Sequence, residues 1–171
     1  MATYIQIGST VTVGSGGTSS IDFTSIPSTY TDLLIVASVR TSRTDTKYGN
    51  MKVKFNTSTS NITGKFIRGI DASTVQSFST TAAEWSAPTS LTTSNTFGNA
   101  QIYIPNYAGS AYKSVSLDSV IEDNSSNQFN YLSCALWSVT DAITSLSLYT
   151  SDAGQNIVQY STASLYGIKK D

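Results

Sequence analysis

The chain has 171 residues, 39% of them hydrophobic and only 12% charged, with a formal net charge of −1 and no histidine. That length buries a core without disulfides or metals, and the near-neutral balance provides no basic footprint for phosphates, so no nucleic-acid partner is expected. The missing histidine and the lone Cys134 exclude a His-based catalytic triad and a conventional zinc site. No cofactor is expected.

Residues 1–13 alternate, with Tyr4 and Gln6 against Ile5 and Ile7. They read as an edge strand or as an arm reaching a neighbour. Gly14-Ser15-Gly16-Gly17 follows. No helix comes after it, so it reads as a hinge rather than a phosphate cradle. There is no basic segment followed by an apolar one at the start, so no secretory leader is expected and synthesis in a cytoplasm is. No apolar run approaches the ~18 residues of a membrane helix, so no membrane insertion is expected.

Leu33 to Arg40 is apolar on both faces and predicts a central strand. Met51, Val53 and Phe55 alternate with Asn50, Lys52 and Lys54, which predicts a strand with one wet face. Residues 73–94 are rich in serine and threonine and carry Trp85 and Pro88; they predict an excursion with a short strand near Val75 to Phe78. Ala100, Ile102 and Ile104 alternate with polar neighbours, as do Val115, Leu117 and Ile121. Asn130 to Val139 places Leu132, Cys134 and Leu136 on one side and Tyr131, Ala135 and Trp137 on the other. Its apolar context predicts a buried, inert thiol. Ile143 to Tyr149 and Val158 to Ile168 complete the set. Turn residues separate these runs, as at Pro27-Ser28, Pro105-Asn106 and Asp123 to Asn127. Many short strands with almost no helical period predict one all-β domain over residues 18–171, a sandwich or a barrel.

Candidate chemistry is sparse. Glu84, Asp118, Glu122 and Asp123 are scattered carboxylates. Glu122-Asp123-Asn124 is either a turn or a set of oxygen ligands for calcium. Three N-x-S/T matches, at Asn56, Asn61 and Asn124, are expected by chance in so serine- and threonine-rich a chain. Arg40, Arg43, Lys47, Lys52, Lys54, Lys65 and Arg68 concentrate positive charge within residues 40–68. They form either a mildly basic face or solvated strand surfaces. Tyr103, Tyr107 and Tyr112 cluster around the turn at Pro105 to Gly109. They are candidates for an interface or sugar-stacking surface, with strand-edge packing as the alternative.

Three stretches carry a resemblance: SSIDFTSIPSTYTDLLIVASVRT (19–41), FGNAQIYIPNYAGSAYKSVSLDSV (97–120) and NIVQYSTASLYGIKK (156–170). Together they resemble small structural proteins of tailed bacteriophages, in which a strand ending in F-x-S-I-P precedes a Tyr-x-Asp-Leu strand and the chain closes on Q-Y-S-T-A-x-L-Y-G-I. The similarity spans most of residues 3–170 and thins over 71–96. It implies a jelly-roll-like antiparallel β-sandwich with a structural, non-enzymatic role in the virion, assembled in the host cytoplasm. Because one domain nearly fills the chain, a capsid decoration or head-fibre module fits better than a whole fibre. The alternative is a receptor- or glycan-binding tail-fibre tip or knob. The implied partners are other virion proteins (the major capsid protein or tail components) and further copies of the chain, a homotrimer by analogy with jelly rolls. A host surface glycan is the partner under the alternative.

Overall fold

Apolar residues at every second position build strands, because successive side chains leave opposite faces of an extended backbone. The computed structural model describes residues 2–70, 74–124 and 128–169, and within them the chain forms strands and no helix. The strands are β1 (Thr3–Thr12), β2 (Ser20–Phe23), β3 (Asp32–Val39), β4 (Tyr48–Phe55), β5 (Ile62–Ile70), β6 (Thr74–Thr80), β7 (Glu84–Pro88), β8 (Gly98–Pro105), β9 (Lys113–Ile121), β10 (Phe129–Trp137), β11 (Leu146–Thr150) and β12 (Thr162–Lys169). They form an eight-stranded sheet, ordered β1-β12-β3-β8-β9-β10-β5-β6, and a four-stranded sheet, ordered β2-β11-β4-β7. Every described pairing is antiparallel. The chain crosses repeatedly between sheets, staying in the large one only for β5–β6 and for the meander β8–β9–β10. The result is a single all-β domain, a jelly-roll-like sandwich.

The core lies between the sheets. Leu33, Ile35, Ile102, Ile104, Val115 and Leu117 of the large sheet face Ile21, Met51, Val53, Phe55, Trp85 and Leu148 of the small one. Leu33–Val39 is internal, as its composition predicts, but its two faces differ: Leu33, Ile35, Ala37 and Val39 are buried, whereas Val36 is 40% exposed. The serine- and threonine-rich excursion contains β6 near the predicted position, and also β7, whose Trp85 enters the core. Its first residue, Ser73, lies outside the described residues.

β1 pairs with β12 from Thr3↔Lys169 to Thr12↔Thr162, interrupted by an irregularity between Ile7 and Val11 where Gly8 has φ +71°. Most of its side chains are exposed; only Ile7 and Val11 pack on the core. The glycine run after it is a built turn rather than the expected loose hinge. Gly17 N–H donates to Gly14 O at 3.0 Å, and Thr18 exchanges two backbone hydrogen bonds with Ile157. Gly17 has φ +67°, and a Cβ there would lie 2.9 Å from Ile157 O, so only glycine fits.

Four strands cannot cover eight. Where the large sheet overhangs at β5 and β6, a second small cluster forms from Phe66, Ile121, Phe129 and Tyr131, with Tyr48 and Ile70 packed against it.

Candidate functional site

The turn between β8 and β9 holds the three tyrosines, each in a different environment. Pro105 ends β8, and Asn106 takes φ +48°. Tyr103, on the outer face, donates its hydroxyl to Asp32 Oδ2 at 2.8 Å, and Asp32 Oδ1 accepts Asn106 N–H at 2.9 Å. This clamps the turn to β3. Burial, then the Asp32 carboxylate, raises the Tyr103 hydroxyl above its ordinary value. Tyr107 has no exposed surface, donates its hydroxyl to Pro27 O, and has its pKa raised by burial. It is a core residue and offers no ring to a partner. Tyr112 is 58% exposed. The turn therefore presents one free tyrosine rather than a three-ring surface.

Lys113, which follows Tyr112, is only 1% exposed. Its Nζ donates to the carbonyls of Gly109 (2.8 Å), Ala111 and Thr140 (3.3 Å). Burial lowers its pKa, opposed by Asp141. The ammonium ties the β8–β9 turn to the segment before β11. Sequence reasoning missed it because a lysine in an alternating strand reads as solvent-facing; the only signal was its parity, two residues before Val115.

The seven basic residues between 40 and 68 do not make one face. Arg40 is buried and donates to Thr92 Oγ1 and O, Thr93 O, and Thr96 O and Oγ1. Arg43 bridges Asp45 at 2.5 Å and Asp152 at 2.8 Å. Lys47 is half-buried before β4. Lys52 faces Glu84 at 3.7 Å, and Lys54 lies 4.6 Å from the centre of the Tyr149 ring, both on the small sheet. Lys65 and Arg68 point to opposite faces of β5.

Arg68 sits in an aromatic box on the overhang. Its Nε donates to Gln76 Oε1 at 2.7 Å and its Nη1 to the Tyr131 hydroxyl at 2.8 Å. Its Cζ is 5.1 Å from the Phe78 ring centre, 5.3 Å from Tyr48 and 5.9 Å from Tyr131. The rings hold the cation against the second cluster at the sheet edge.

The carboxylates do not converge. Glu84 pairs with Lys52, Asp118 lies on the outer face, and Glu122 accepts Asn124 N–H at 2.8 Å. Asp123 is buried whereas Glu122 and Asn124 are exposed, so these neighbours do not face one point. Among the described residues no three His, Cys, Asp or Glu side chains are grouped to hold a metal ion. The Asn56 side chain is engaged locally: its Nδ2 donates to Ala142 O at 2.7 Å and its Oδ1 accepts Thr144 N–H at 2.8 Å.

Cys134 is exposed, not buried as its apolar context predicts. β10 turns Phe129, Tyr131, Ala135 and Trp137 inward and Leu132, Cys134 and Leu136 outward. Leu132 is 58% and Leu136 37% exposed. Leu132 and Cys134, with Ile67 of β5, line a shallow groove of about 380 Å³ on the outer face of the large sheet, and Leu136 lines an adjoining hollow. A separate hollow of about 300 Å³ beside the β9–β10 connection is lined by Glu122, Gln128 and Asn130 among others. In comparisons with known proteins, no family model matches the chain, and no curated protein or solved structure is significantly similar to it.

Proposed function

We propose that this chain is a structural protein of a tailed-bacteriophage virion, carried on the outer surface of the particle as a capsid decoration or head-fibre module. The observation that carries the reading is spatial. The three stretches that resemble phage structural proteins are dispersed in sequence, at 19–41, 97–120 and 156–170. Their strands β12, β3, β8 and β9 are consecutive neighbours in the large sheet, with β2 on the opposing one. The three stretches thus lie side by side in one slab of the fold, as segments of one shared architecture would.

The role is adhesive and non-catalytic, and the broad outer face of the large sheet, with the exposed edge strand β1, supplies the contact surfaces. The partners are virion proteins and further copies of the chain. A receptor- or glycan-binding tip on the tail is the second reading, favoured by the hollow that carries Glu122, Gln128 and Asn130, since carboxylates and amides recognise sugar hydroxyls.

The test is the composition and reconstruction of purified particles. Peptides of this chain in gradient-purified virions, with density for the sandwich on the head surface, are expected. Density at the tail tip, together with binding to host polysaccharide that is lost in Asn130→Ala, would favour the second reading. Absence from the particles would remove both.

A further inference from the structure

Scattered exposed leucines need no explanation in a monomer; those on the outer face of the large sheet are not scattered. In one row across the sheet Asp118 of β9 lies opposite Leu132 of β10, which lies opposite Ile67 of β5. In the next row Ser116 lies opposite Cys134, which lies opposite Lys65. Ile67 is 46% and Leu132 58% exposed, and Val120, one further row along β9, is 43% exposed. Asp118 and Lys65 are exposed, and among the described residues neither has a salt-bridge partner. The apolar patch thus has an unpaired anion on one flank of β10 and an unpaired cation on the other, one row apart.

We propose that this face docks a second copy of the chain, sheet against sheet, about a two-fold axis that crosses β10 between Leu132 and Cys134. The inference rests on the adhesive reading above only in treating the chain as an assembling module. A two-fold interface must be self-complementary: if residue i meets j, then j meets i. An axis lying in the interface and running diagonally through the point midway between Asp118 and Lys65 exchanges those positions. Each Lys65 then lies over the other copy's Asp118. Ile67 lies near the axis and meets its own counterpart, and Leu132 and Cys134 close the centre. Sheets stack about 10 Å apart, a gap that an extended lysine and an aspartate span together. The rim is polar, with Ser116 and Ser77 bordering the patch, as expected around an apolar interface centre. A partner carrying one sign of charge would satisfy one flank and leave the other opposed; a second copy satisfies both.

The experiment uses the purified full chain, so its outcome does not depend on where the protein sits in a particle. Sedimentation velocity over the micromolar to hundred-micromolar range is expected to show a monomer–dimer equilibrium. Leu132→Ser and Lys65→Glu should each weaken it by at least about tenfold, equivalent to 1.4 kcal/mol. The double variant Lys65→Glu with Asp118→Lys restores the pairing in reverse and should recover most of the loss. A short bis-maleimide should join Cys134 to Cys134 in the wild type and not in Leu132→Ser. Unchanged melting temperatures would confirm that these exposed substitutions leave the fold intact. A chain that stays monomeric across the range overturns the proposal, as does a dimer indifferent to Lys65→Glu or a charge swap that fails to rescue. If particles contain the protein but the pure chain is monomeric, the virion reading stands and this inference falls.

Discussion

The two faces of β10 are nearly matched in apolar content and opposite in fate. Inward, Trp137 is 2% exposed and stacks on Phe55 with ring centres 5.5 Å apart. Outward, Leu132 is 58% exposed and Cys134 is also exposed. Hydrophobicity assigns a side chain to a face; it does not supply the layer that covers that face. The inner face has the four-stranded sheet above it. Among the described residues nothing lies above the outer face, so its apolar residues contribute little to the monomer's stability.

The strongest way to break this contrast is at Trp137. Trp137→Ala should cost about 3–5 kcal/mol in urea denaturation, the range for emptying a large aromatic site in a core. Trp137→Phe should cost clearly less. The indole Nε1 is buried and finds no partner among the described residues, and phenylalanine removes that unsatisfied donor while keeping the stack on Phe55.

Lys113 sharpens the contrast at the next level, since it is a charge on the buried side. Lys113→Ala leaves the carbonyls of Gly109, Ala111 and Thr140 without their donor and should cost about 2–3 kcal/mol by the same assay, as expected for hydrogen bonds to a charged group. A loss near zero would mean that water replaces the ammonium without penalty.

Tyr107→Phe should cost about 1 kcal/mol for the hydrogen bond to Pro27 O, and it has a signature in alkali. Burial raises the hydroxyl pKa in the folded chain, so the unfolded chain loses this proton first. The resulting stability is complete below the ordinary tyrosine value of about 10 and is lost as pH rises through the folded value. Tyr103 and Tyr149 are raised in the same direction, both mainly by burial. The wild type should therefore lose stability above pH ~10, and Tyr107→Phe should lose less. Equal slopes would place the effect elsewhere.

The smallest effect belongs to the outer face. Cys134→Ser should change monomer stability by less than about 0.5 kcal/mol, as for surface substitutions generally. A loss of several kcal/mol in dilute protein would mean that this face is covered in the free chain and would collapse the contrast.

Strand parity was legible in the sequence. Met51, Val53 and Phe55, then Ala100, Ile102 and Ile104, and then Val115 and Leu117 are buried as their alternation predicts. The all-β class follows from the same period of two. Three features were not legible. Leu33 to Arg40 and Asn130 to Val139 carry apolar residues on both sides, and alternation alone cannot say that Val36 and Leu132 face outward. Lys113 and Arg40 are buried because distant carbonyl and hydroxyl oxygens converge on them, and the partner segments lie far off in sequence. The basic run at 40–68 divides because β3, β4 and β5 belong alternately to the large, small and large sheets. The sequence by itself determined where most strands form, though not β7, and which side chains share a face, since both depend on local backbone geometry and the spacing of apolar residues. Only the tertiary structure decided which faces are covered, because burial depends on what a non-local pairing places above each sheet, and among the described residues the small sheet packs on one face of the large one and leaves the other bare.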